Sequence, residues 1–160
     1  MSKLNEFETR NTLVIGVGNE LRSDDAVGIV VARRLRKRLA GDVRIQEASG
    51  EGGSLLEALR SADSIILIDA VSPGVHPGTI HRIDATREPL SRNFFQRSSH
   101  EFGVAEAIEM ARVLNQLPRH LVVYGVEGEN FAPGLTLSDP ASQAAKQVEE
   151  EIALHLGAIH

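Results

Sequence analysis

Three short runs, Thr12-Leu13-Val14-Ile15-Gly16-Val17, Ser64-Ile65-Ile66-Leu67-Ile68-Asp69-Ala70 and His120-Leu121-Val122-Val123-Tyr124-Gly125-Val126, are apolar almost from end to end instead of alternating. A strand reads that way when both of its faces are covered, as in a parallel sheet packed between helices. Val43–Ala48 and Gly78–Ile83 add two less apolar strands, the last reached through a turn-rich stretch and placed at a sheet edge. Segments of helical period lie between them, over Asp25–Leu39, Ser54–Arg60, Glu101–Leu114 and Asp139–Leu156. The alternation predicts an α/β domain with a mostly parallel sheet. Residues 1–11 read as an N-terminal tail and 12–157 as a single domain, since 160 residues suit one ordinary domain and not two.

Composition removes several functions. The 17 Lys and Arg against 22 Asp and Glu give a formal charge of -5, so no global basic field exists to hold nucleic acid or an anionic membrane. With no cysteine there is no disulfide, no thiolate nucleophile and no sulfur-ligated metal, which leaves oxygen and imidazole as metal donors. A polar N-terminus and the lack of a run near the roughly 20 apolar residues of a membrane span point to a soluble cytoplasmic protein. The basic cluster Arg33, Arg34, Arg36, Lys37 and Arg38 reads as a solvated helix face near the negative dipole end, with a partner-docking surface as the alternative.

Ligands of open α/β sheets bind beyond the carboxyl ends of the strands. There the first strand delivers Gly16-Val17-Gly18-Asn19-Glu20-Leu21-Arg22-Ser23-Asp24-Asp25-Ala26-Val27-Gly28. A dinucleotide fingerprint needs a third glycine where this chain has Leu21, and two aspartates would repel a pyrophosphate. One of Asp24 and Asp25 is expected to cap the following helix. Asp69 ends an apolar run, where an ionised carboxylate is rare unless paired, hydrogen-bonded or metal-bound. His100 precedes an amphipathic helix, whereas His76, His81, His120, His155 and His160 read as structural. Two carboxylates and one imidazole make an open site for a borderline divalent cation such as nickel or zinc. Ser49, Ser72, Ser98 and Ser99 have no nucleophile-elbow setting, so an acyl-enzyme is not expected.

Gly16-Val17-Gly18-Asn19 with Asp24-Asp25 and Gly28, Asp69-Ala70-Val71, Ser99-His100 with Gly103, Gly125-Val126-Glu127 and Gly134-Leu135-Thr136 together give the chain a form that resembles the endopeptidases that mature nickel-iron hydrogenases. The resemblance covers about residues 12 to 155 in order and spacing. It implies a three-layer α/β/α sandwich around a mixed, mostly parallel five-stranded sheet. It also implies removal of a C-terminal extension from a hydrogenase large-subunit precursor after nickel insertion. The substrate's nickel would be read by Asp25, Asp69 and His100, with no tightly bound metal in the isolated protein; Asp25 is the candidate catalytic residue, with attack by water helped by Asp25 as base or by the nickel as Lewis acid. The alternatives are a nickel-binding maturation chaperone or carrier without proteolysis, and a same-fold peptidase with another substrate. Two positions depart from the family pattern: Ala26 stands where many members have Gly, and Ser49-Gly50-Glu51-Gly52-Gly53 replaces a Gly-Thr-containing loop. Glu51 is thus expected to add negative charge near the site.

Overall fold

The computed structural model describes residues 11–39, 41, 43–71, 76–95 and 100–157. Five strands, β1 (Thr12–Val17), β2 (Val43–Ala48), β3 (Ser64–Val71), β4 (Ile80–Asp84) and β5 (His120–Glu127), form one sheet in the order β2-β1-β3-β5-β4. The pairs β1 with β2, β1 with β3 and β3 with β5 are parallel, and β4 runs antiparallel to β5 at the edge. All residues of β1 and β3 are buried, which is what their unbroken apolar runs require. The flanking β2 is mostly half-buried.

Among the described residues, four helices cover the sheet: α1 (Val27–Arg38), α2 (Gly52–Leu59), α3 (Val104–Val113) and α4 (Asp139–His155). Side chains alternate along each inner strand, so Leu13, Ile15, Leu67 and Val123 pack against α2 and α3. Val14, Ile66, Ile68 and Val122 pack against α1 and α4 on the other face. The expected sandwich and mixed sheet are therefore the fold observed.

Two glycines set how closely α1 approaches. A Cβ on Gly16 would meet the Gly28 backbone and the Ala32 side chain, and a Cβ on Gly28 would meet backbone oxygens of Val17 and Ile68. Close helix–sheet packing, sought at Leu21 in the dinucleotide pattern, is supplied instead by Gly28, seven residues further on. The basic face of α1 is largely paired within the chain. Arg33 bonds Glu20 and Glu47, Arg36 bonds Glu47, and Arg38 bonds Glu149 and Glu150.

The first helix begins later than the periodicity implies. A 3-10 turn over Ser23–Ala26 precedes α1, whose N-cap, Ala26, offers no side-chain hydrogen bond. Neither Asp24 nor Asp25 caps α1, because that turn holds both of them upstream of its first free amides. Glu51 does cap a helix: its carboxylate accepts from Gly53 N and Ser54 N at 2.7 and 2.9 Å and closes the start of α2. His160, Ser72, Ser98 and Ser99 lie outside the described residues.

Candidate active site

The order β2-β1-β3 reverses direction at β1 and β3, since the chain leaves β1 toward β2 and returns on the other side as β3. At such a switch point the connections diverge and leave a crevice at the strand ends. Here the crevice is a cleft of about 980 Å³ lined by, among others, Asn19, Glu20, Asp25, Asp69, Arg92 and His100. The loop after β1 carries Asp25 into it, the end of β3 carries Asp69, and the segment leading into α3 carries His100.

Asp69 follows Leu67 in the alternation and precedes Val71, so its side chain belongs to the face covered by α2 and α3. It is only 6% exposed. One oxygen accepts the Ala70 N–H at 2.8 Å. Burial first, and then the neighbouring Asp25 carboxylate, push its pKa well above the usual carboxylate value, against the smaller opposing pull of that N–H. Asp25 is half-buried, and burial raises it to about 6, despite the Arg22 charge and the Asn19 N–H that favour its ionised form. Each of the two acids is thereby biased toward its neutral form, and a cation placed against them reverses that bias.

His100 stands near the start of α2: its charge bears on Glu51, and a Cβ on Gly50 would lie 4.0 Å from its Cδ2. The segment carrying it is pinned where Gly52 N donates to Phe102 O at 2.8 Å. Among the described residues, no three His, Asp or Glu side chains are grouped closely enough to hold a metal ion by themselves. Glu51 does not line the cleft, since its carboxylate is occupied at the α2 cap. Glu127 and Glu129, at the end of β5, do not line it either.

Asp24 has a role the sequence did not suggest. Its carboxylate, fully buried, turns away from its own helix and accepts Glu129 N at 2.8 Å, Asn130 N at 3.1 Å, Ser138 N at 2.7 Å and Ser138 Oγ at 2.7 Å. Burial opposes its ionisation, but these donors outweigh it and hold the carboxyl below its ordinary range. Its partners lie more than a hundred residues away along the chain, so no local signal in the sequence points to them.

Comparison with known proteins agrees with this architecture. A family model described as hydrogenase maturation protease matches residues 29–155. The hydrogenase 2 maturation protease of Escherichia coli is 30% identical over 144 residues, covering 88% of this chain and 87% of that protein. The hydrogenase expression/formation protein HupD of Thiocapsa roseopersicina is 28% identical over 142 residues, and the aligned part spans 62% of that longer protein. Among solved structures, the hydrogenase maturating endopeptidase HybD from E. coli superposes with a TM-score of 0.77 at 27% identity, over 91% of each chain. The [NiFe] hydrogenase maturation protease HycI from Thermococcus kodakarensis shares the fold, with a TM-score of 0.72 at 24% identity over 93% of each chain. From the sheet order to the residues matched by the family model, the chain belongs to the hydrogenase maturation protease family.

Proposed function

We propose that the protein is an endopeptidase that removes the C-terminal extension of a nickel-iron hydrogenase large-subunit precursor, and that it acts once nickel has been inserted. The observation that carries the reading is the pair of carboxyls, Asp25 and Asp69, facing one open cleft and both pushed toward their neutral forms, with His100 lining the same cleft. Such a pair gains most from an incoming cation. Nickel arriving on the precursor would ionise both acids and take the imidazole as a third donor, so it belongs to the substrate. Three donors without a thiolate make a weak site alone, which favours reading a substrate's metal over storing one.

Binding of that nickel fixes the adjacent tail in the cleft. Water then adds to the scissile carbonyl, the carbon–nitrogen bond breaks, and the proton released from water ends on the departing amine. Asp25 takes that proton as base, or the nickel polarises the carbonyl as Lewis acid. Either route needs Asp25 in place.

The test is incubation of the purified protein with nickel-loaded and nickel-free large-subunit precursor from its own host, followed by intact mass. Loss of a C-terminal tail from the loaded precursor alone, abolished by His100→Ala, is the expected result. Binding of the loaded precursor without cleavage would replace this reading with that of a carrier or chaperone.

A further inference from the structure

The turn that presents Asp25 does not hold itself. Ser23 sits at φ 51°, in the left-handed region that a non-glycine residue seldom adopts and that persists only where surroundings enforce it. The surroundings here are the β5–α4 loop, more than a hundred residues away in sequence. Ser23 N donates to Gly134 O at 3.0 Å, Ser23 Oγ donates to Ala132 O at 2.7 Å, Gly134 N donates to Leu21 O at 2.9 Å, and Asp24 N donates to Asn130 O at 2.9 Å. Arg22 Nε reaches Phe131 O at 3.2 Å. The four bonds accepted by the Asp24 carboxylate complete the seam.

Those four bonds also order the far side. Ser138, which gives both its N–H and its hydroxyl to Asp24, is the N-cap of α4 and accepts Ala141 N with the same oxygen. One buried charge thus joins the start of α4, the β5–α4 loop and the turn before α1. A charge-assisted bond of this kind is about twice as strong as a neutral one, and all four donors converge on two oxygens. The neighbouring residue is Asp25, whose backbone oxygen accepts Asn19 N at 3.2 Å and whose carboxylate feels the same N–H.

We infer that Asp24 is a positioning residue: by clamping the β5–α4 loop against the turn over Ser23–Ala26, it fixes the direction in which Asp25 enters the cleft. The inference deepens the proposed function and rests on it for the reaction, though the placement of Asp25 is measurable without any substrate. Asp24→Asn is the decisive variant, because a carboxamide presents an NH2 where the loop offers only donors. At least one of the four bonds is then lost whichever way the amide is turned.

The assay has two independent readouts. In the isolated protein, amide resonances and exchange rates of Glu129, Asn130 and Ser138 report the clamp, and the Asn19 amide reports the placement of Asp25. The expected result is faster exchange at the first three and a displaced Asn19 resonance. With nickel-loaded precursor, kcat falls about 10- to 100-fold while KM stays within about twofold, as for a misplaced group and not a lost binding contact. Released loop amides with an unmoved Asn19 resonance and an unchanged kcat would overturn the inference. Should Asp24→Asn fail to fold, Ser138→Ala removes one donor and keeps the rest, and the same readouts apply with smaller changes. If the wild-type protein cleaves no precursor, the proposed function falls and the Asn19 resonance alone decides the clamp: displaced, it stands; unmoved, it fails.

Discussion

Replacing Asp25 by Asn should leave the protein more stable at neutral pH and unable to cut its precursor. In the unfolded chain this carboxyl ionises near 3.8, and in the fold near 6. A tenfold change in proton affinity corresponds to about 1.4 kcal/mol, so holding the ionised group in the fold at pH 7 costs at most about 3 kcal/mol. The group lines an open cleft, and solvent screening reduces that to about 1–2 kcal/mol. The sign follows from the direction of the shift. Because the folded value is raised, the favourable contribution is complete below about pH 4 and disappears as pH climbs through about 6. Asn never ionises and escapes the loss. Urea unfolding at pH 7 should therefore place Asp25→Asn about 1–2 kcal/mol above the wild type, or roughly 2–8 °C in Tm for a chain of this size. At pH 4 the gap should close. Equal stability at pH 7, or an advantage undiminished at pH 4, would refute the electrostatic reasoning, and undiminished cleavage by the variant would refute the role given to Asp25.

Three further changes test how the cleft is built. Gly28→Ala should destabilise the fold by about 1–3 kcal/mol in urea, because the added methyl meets backbone of β1 and β3 that has no room to yield. Gly52→Ala should slow cleavage more than it lowers Tm: its Cβ would stand 2.6 Å from Phe102 O and closer still to the Phe102 ring, displacing the segment that carries His100. Glu51→Ala should speed amide exchange at Gly53 and Ser54 by removing the α2 cap, while the same precursor is still cut.

The central strands were legible because burial on both faces leaves a mark in every residue, and Asp69 stood out against that background. The edge position of β4 followed from its turn-rich approach. What could not be read locally was the turn over Ser23–Ala26. Its shape comes from hydrogen bonds to residues 129–138, so the helical period reads as beginning too early and one of Asp24 and Asp25 reads as a cap. Glu51 is the opposite case: its neighbours in sequence hold its carboxylate, so the charge expected near the site caps α2 while still interacting with His100. Asp25, Asp69 and His100 were named on the strength of strand-end logic and resemblance, and the cleft that all three line arises from the reversal of strand order, which no single segment encodes.

That reversal has a kinetic corollary. Asp25 and Asp69 belong to distant parts of the chain and come together only when β1 and β3 lie side by side, a non-local parallel pairing of the kind that forms slowly. A copy in which β1 and β3 have not yet paired holds the two acids apart and lacks the cleft. The timing of activity is thereby tied to completion of the sheet: cleavage competence during refolding should appear together with protection of the β3 amides and not before it.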